Sequence, residues 1–334
     1  MRRRTQSRRG RTEPASPPPQ PRIAAFARLD LTVGRRLDGL LSGDHQGLRL
    51  GPGSDPEEVT RYQPGHDVRR IDWNATARSS EPQVWLTRAE HELDTWVLLD
   101  ATPSMAFGTA EVEKGELAGW LSAVVGLLTD APGNRVGVAT LSVDALSWGR
   151  PLPGRVAAHR ALAASRRPPT AEQVSRSGEV PYPLGTAIEA LSRRQRRAGL
   201  RVIISDLVDP AGQVDRPFEW ELPLRRMAAR HDVLVVEVVD PRELALPDVG
   251  VLTLTDPESG RQREIPTTEK VREAYRRVAE RHRTETAAAV RGCGAAHLVV
   301  RTDQDWVKDL AHFVRARRRT PRGHRRPSRQ RRAA

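Results

Sequence analysis

The run Asp100-Ala101-Thr102-Pro103-Ser104 places a carboxylate and two hydroxyls at alternate positions. Directly before it, Trp96-Val97-Leu98-Leu99 is apolar throughout, as a buried strand is. A turn leaving such a strand can aim all three oxygens at one point. Two more oxygen carriers stand in comparable places. Thr186 follows Gly185 at a predicted helix start, and Asp206 closes the apolar run Val202-Ile203-Ile204-Ser205. The set is all oxygen, with two carboxylates, and hard cations such as Mg²⁺ or Mn²⁺ prefer that donor type. An ion held by few charged groups and several neutral hydroxyls keeps positions for water or an incoming carboxylate, which suits a metal clasp between proteins. Each residue also has a plainer role. Ser104 can cap the helix that follows, Thr186 and Glu189 have capping-box spacing, and Asp206 can be a loop residue.

These residues need a scaffold that brings strand ends together. Apolar runs at Trp96–Leu99, Arg135–Leu141, Val202–Ile204, Val233–Val239 and His297–Val300 read as strands, with Leu146–Trp148 as a partner for the second. Helices are predicted over Glu111–Thr129, Val156–Ser165, Thr186–Arg197, Trp220–Arg230, Glu269–Arg291 and Asp305–Val314. Val251–Leu254 and Glu264–Ile265 read as a hairpin turning through Asp256–Gly260. Short strands without polar alternation are covered on both faces, and strand–helix alternation then implies a doubly wound, mostly parallel α/β sheet. Ligands in such sheets bind beyond the carboxyl ends of the strands. Three strands end there in an acid: Asp100, Asp206 and Asp240.

Ahead of this domain, residues 23–95 form a smaller α+β segment. It comprises one or two short helices between Ile23 and Leu41, a glycine-rich loop from Gly43 to Pro56, and a strand at Gln83–Arg88. The chain of 334 residues carries a net charge of +13, but the charge is unevenly placed. Six arginines crowd residues 1–12 and ten more lie in 315–334, with no acid in either stretch. Residues 13–314 hold 39 basic and 42 acidic groups, so the basic balance belongs to two tails. Residues 1–22 and 315–334 are expected to be disordered, and 96–314 to be the main domain.

Cys293 is the single cysteine, which excludes an intrachain disulfide and a cysteine-built zinc cage. A reducing, cytoplasmic setting is the simplest expectation. The longest apolar run, Leu117–Leu128, falls short of the roughly 20 residues a bilayer span needs. The N-terminal arginines precede no apolar stretch of signal-peptide type.

Two resemblances sharpen this reading. Asp-x-Thr-x-Ser, then Thr, then Asp is similar to the metal-ion-dependent adhesion site of von Willebrand factor A domains, with Thr102 where serine is usual. The resemblance implies that Thr102, Ser104 and Thr186 ligate the ion directly, while Asp100 and Asp206 act largely through water. Upstream, Arg61-Tyr62-Gln63-Pro64-Gly65-His66-Asp67-Val68-Arg69-Arg70-Ile71-Asp72-Trp73 resembles the signature of the domain-of-unknown-function 58 family, departing at His66 where an acid is usual. That resemblance spans about residues 30–310. It implies a von Willebrand factor A-like domain and a MoxR-type AAA+ ATPase, or its client, as partner. In physical terms, Arg61, Arg69, Arg70 and Arg78 with Asp67 and Asp72 can form an ion-pair network beside Tyr62 and Trp73. Such a network fixes an interdomain surface or presents a partner surface.

The leading expectation is a non-enzymatic interaction module. The sequence shows no Walker A loop, His-Glu-x-x-His, nucleophile elbow or dinucleotide fingerprint. The alternative is nucleic-acid association, the tail arginines neutralising phosphates without reading sequence; they lack the interleaved aromatics of single-strand binders. A metal-dependent hydrolase is a third class, and it lacks an evident general base near the motif.

Overall fold

The architecture was read from a computed structural model, which describes residues 58–63, 68, 71–79, 81–86, 93–110, 112–130, 133–164, 182–255 and 262–319. The described residues open with an antiparallel pair, β1 (Glu58–Arg61) and β2 (Gln83–Leu86), around the one-turn helix α1 (Trp73–Thr76). The main sheet begins with β3 (Asp94–Asp100). It continues through a 3₁₀ turn (Pro103–Ala106), α2 (Lys114–Leu128), β4 (Arg135–Leu141), β5 (Leu146–Trp148) and α3 (Gly154–Ala164). Next come α4 (Leu184–Arg194), β6 (Gly199–Ser205), α5 (Glu221–Ala228), β7 (Asp232–Val239) and the short α6 (Pro241–Leu244). The hairpin β8 (Val251–Thr255) and β9 (Gln262–Pro266) precedes α7 (Glu269–Gly292), β10 (Ala296–Arg301) and α8 (Trp306–Arg319).

The six-stranded sheet has the order β10-β7-β6-β3-β4-β5. Its first five strands run parallel and β5 is an antiparallel edge. The chain winds outward from β3 toward β5, then returns to build β6, β7 and β10 on the other side. The direction of winding therefore reverses between β3 and β6, and Asp100 and Ser205-Asp206 flank that reversal. A doubly wound sheet opens its crevice at such a point.

The strands lack polar alternation because both faces are covered. Val97, Leu99, Val202 and Ile204 pack with Leu117, Leu121 and Val124 of α2 and with Val307 and Leu310 of α8. Trp96, Leu98, Ile203 and Val235 pack on the opposite side with Ile188 of α4, Leu224 of α5 and Val290 of α7. Each such side chain contributes about 1.5–3 kcal/mol on leaving water. Eleven of the fifteen α2 residues are buried, since α2 lies between the sheet and α3. That close packing needs Gly154, where a Cβ would stand 2.3 Å from the Gly126 carbonyl oxygen.

One expected boundary changes. The last helix continues five residues past Val314, taking Arg315 and Arg317 out of the expected disordered tail. Its extension is anchored by an ion pair from Arg317 to Asp232, with the Arg317 guanidinium 6.0 Å from the Phe313 ring. The described members of the Arg61–Arg78 stretch make local contacts. Arg61 pairs with Glu81, and Asp72 Oδ1 accepts the Asn74 and Ala75 amides at 2.9 and 3.0 Å, capping α1. Arg78 donates to the Asn74 carbonyl at 3.1 Å. Asp67, Arg69, Arg70, the helices expected at 23–41, the loop at 43–56 and both outermost tails lie outside the described residues. Among the described residues, no helix is long and apolar enough to cross a membrane.

Candidate metal centre

At the crest of β3, Asp100 is buried and both of its oxygens are engaged. Oδ1 accepts the Thr102 amide at 3.0 Å and the Thr102 hydroxyl at 2.6 Å; Oδ2 accepts the Ser205 hydroxyl from the neighbouring strand at 2.6 Å. Thr102 is extended (φ −67, ψ 163), and Pro103 opens the 3₁₀ turn behind it. This geometry brings the Thr102 and Ser104 hydroxyl oxygens within 3.2 Å of each other, both buried. The alternating spacing of the motif thus converges on one spot.

Asp206 follows β6 across the winding reversal. The next residue, Leu207, is buried in the left-handed region at φ 58, a conformation that costs a side-chain-bearing residue about 1–2 kcal/mol. Two side chains hold that turn: Ser205 Oγ accepts the Leu207 amide at 3.0 Å, and Asp206 Oδ1 accepts the Val208 amide at 3.1 Å. Asp206 Oδ2 accepts the Lys114 ammonium at 2.8 Å. Lys114 is fully buried and also donates to Glu243 on α6. Glu243 Oε2 in turn accepts the Asp240 amide at 2.9 Å in the capping box of α6.

The electrostatics separate the acids. Burial, and then the charge of Asp206, push the Asp100 carboxyl up from 3.8 to about 6, against the donors from Ser205 and Thr102. Burial also raises Glu243, opposed by the adjacent Lys114. Burial by itself would lower the Lys114 amine, but Asp206 and Glu243 together hold it above its ordinary value. Asp240 differs again. Despite burial it is held low by donors: the Thr109 amide and hydroxyl at 2.8 and 2.5 Å, the Arg242 amide at 2.9 Å and the Thr302 hydroxyl at 3.0 Å. Its carboxylate is saturated and structural.

Thr186 makes no hydrogen bond to this group among the described residues. It is exposed on the first turn of α4, with no hydrogen bond from its side chain among the described residues. The capping-box expectation for Thr186 and Glu189 fails, because α4 starts two residues earlier with Pro183 as N-cap. The Glu219 carboxylate does the capping, accepting the Gly185 amide at 2.8 Å, and Glu189 pairs with Arg193 at 3.3 Å. Gly185 is required for this approach, since a Cβ there would meet Glu219 Oε2 at 2.3 Å and the Glu219 carbonyl at 2.8 Å.

The donor set suits a hard cation in character. Two buried hydroxyls sit together beside acids, and Asp100, Asp206 and Glu243 present three carboxylates against the single Lys114 ammonium. Among the described residues no group of three or more His, Cys, Asp or Glu is arranged to hold an ion. Coordination here would therefore depend on hydroxyls and water. Of the upstream candidates, Arg61, Tyr62, Asp72 and Trp73 are described, and Trp73 stands 71% exposed.

Sequence reasoning missed Lys114, Glu243, Ser205, Thr109 and Thr302. One signal was available for the first. Only three of the 55 basic residues are lysines, at 114, 270 and 308, and Lys114 opens the most apolar helix. Lysine is a compact point charge on a flexible stem, where arginine brings a wide planar fork.

The signature of the protein of unknown function DUF58 matches residues 58–285. An uncharacterized protein of Mycobacterium tuberculosis is 44% identical over 300 residues, covering 90% of this chain and 91% of that protein. Among solved structures, the conserved hypothetical protein BatB from Bacteroides thetaiotaomicron aligns with a TM-score of 0.40 at 16% identity, over 68% of this chain and all of that one. A von Willebrand factor type A structure from Catenulispora acidiphila aligns at 0.32 and 12% identity, over 68% of this chain and 42% of that one. The chain belongs to the DUF58 family, and its central sheet is doubly wound and mostly parallel.

Proposed function

We propose that this chain is a non-catalytic protein-interaction module that docks an acidic side chain of its partner at the crest between β3 and β6. The observation that carries the reading is the buried Thr102–Ser104 hydroxyl pair, 3.2 Å apart, beside Asp100 and Asp206, acids close enough for one to raise the other. Mg²⁺ or Mn²⁺, when bound, would supply a Lewis-acidic point for a partner carboxylate. Thr102 and Ser104 would hold it, Asp100 and Asp206 would neutralise it, and Thr186 is the fifth proposed donor. The proposed partner is a MoxR-type AAA+ ATPase or its client. Phosphate binding through the tail arginines gains no support from the described residues, where Arg317 is engaged by Asp232.

The test is affinity capture with the full chain, wild type and Asp206→Ala, in Mg²⁺ and in chelator, followed by titration with a purified ATPase of that type. Retention by metal-loaded wild type alone is the expected result. Equal retention under all four conditions would refute the clasp and direct attention to the surface around Arg61 and Trp73.

A further inference from the structure

Both oxygens of Asp206 are engaged. Oδ1 accepts the Val208 amide and Oδ2 the Lys114 ammonium. The same ammonium reaches Glu243, whose other oxygen caps α6. Lys114 thus ties three separate elements together: the first residue of α2, the turn after β6 and the start of α6. The Phe107 ring lies 5.8 Å from its nitrogen, beside the turn that carries Ser104. A permanent positive charge therefore stands against one of the acids that a divalent ion at Thr102 and Ser104 would need. Two cations sharing one carboxylate repel, and in a buried site the repulsion is weakly screened.

We propose that Lys114 is a tethered cation that competes with the divalent ion for Asp206, and that Glu243 retains its ammonium when the ion binds. This rests on the metal reading above and adds a regulatory element to it. In the metal-free site Lys114 supplies the counter-charge and keeps the crest folded. Binding of the ion draws Asp206 away from Lys114 while Glu243 holds the ammonium in place. The affinity for metal is accordingly set low, and occupancy is coupled to the contact among α2, α6 and the β6 turn.

The probe is Mn²⁺, with affinity measured on the full chain by the loss of the free-ion paramagnetic resonance signal. Lys114→Met alone leaves the buried Asp206 and the partly buried Glu243 without their counter-charge, so the informative variant is Lys114→Met with Glu243→Gln, which removes one charge of each sign and spares Asp206. The expected result is binding about tenfold or more tighter than wild type, since a like charge within hydrogen-bond distance of a ligand has gone. Equal or weaker binding in the double variant, with wild type binding measurably, would overturn the competition and leave the metal reading standing. No Mn²⁺ binding to either protein would refute both.

A second measurement needs no variant. The three lysines give three ¹⁵Nζ signals, and Lys270 and Lys308 are exposed. Mg²⁺ should shift the Lys114 signal and leave the other two in place. A Lys114 signal unmoved at saturating Mg²⁺ would overturn the proposal.

Discussion

Replacing Asp100 by Asn in the metal-free protein should stabilise it, although a buried, hydrogen-bonded side chain is being changed. Burial and the neighbouring Asp206 raise the Asp100 carboxyl from 3.8 to about 6. The folded state thus binds a proton more tightly than the unfolded state, and stability falls as pH rises between those values. At about 1.36 kcal/mol per pH unit, the ionised carboxylate costs about 3 kcal/mol at pH 7.5 and about 1 kcal/mol at pH 4.5. Asn removes the charge and keeps most of the geometry. Its carbonyl can accept from the Thr102 amide and hydroxyl, and its amide can donate to Ser205 Oγ if that hydroxyl turns. Allowing for imperfect exchange of that bond, a net gain of about 1–2 kcal/mol at pH 7.5 is expected, shrinking toward pH 4.5. Urea unfolding followed by tryptophan fluorescence in chelator measures it. A variant equal to or less stable than wild type at pH 7.5, with an unchanged m-value, would show that Asp100 is not under electrostatic stress. Saturating Mg²⁺ should reverse the order, because it stabilises only a protein that binds it.

Other sites give independent checks. His231 is buried with both ring nitrogens unpartnered among the described residues, and burial, reinforced by Arg201, lowers it to about 4. Its contribution is complete above pH 6.5 and is lost as pH falls toward 4, up to about 3 kcal/mol; His231→Leu should flatten the unfolding free energy over that window. At Gly137 a Cβ would stand 2.6 Å from the Trp96 ring, which packs edge-on to Trp148 at 5.6 Å, so Gly137→Ala should cost about 1–3 kcal/mol by thermal or urea unfolding. Trp73→Ala should change stability by less than about 0.5 kcal/mol, because the side chain is 71% exposed; lost partner capture with an unchanged unfolding midpoint would place a contact there.

The legible parts of this protein are local. Strands covered on both faces carry apolar runs without polar alternation, so β3, β6 and β7 are read within two or three residues of their ends. The Asp100–Ser104 turn is legible for the same reason, its hydrogen bonds spanning two residues. What escapes the sequence is set by distant partners. Lys114 meets Asp206 across 92 residues and Glu243 across 129. The start of α4 depends on Glu219, 34 residues beyond Gly185. Asp72 has a further role that its sequence neighbours do not reveal, its Oδ1 accepting two backbone amides of α1.

The three acids at the strand ends show how tertiary structure assigns different work to equivalent positions. Asp100, Asp206 and Asp240 each close an apolar run and look alike in one dimension. Asp240 receives four donors from three elements, so its charge is satisfied and it anchors α6 beneath the 109 loop and the end of β10. Asp206 receives an ammonium, and Asp100 receives only a backbone amide and neutral hydroxyls. Unrelieved negative charge therefore collects at Asp100, the acid nearest the paired hydroxyls and next to the reversal in strand order. A purely structural crest would be more stable with Asn there, as Asp240 shows how a buried carboxylate is satisfied when the fold alone needs it. The presence of an ionisable group with a raised pKa at this point is the physical reason to look for a cation, and stability measured with and without Mg²⁺ decides it.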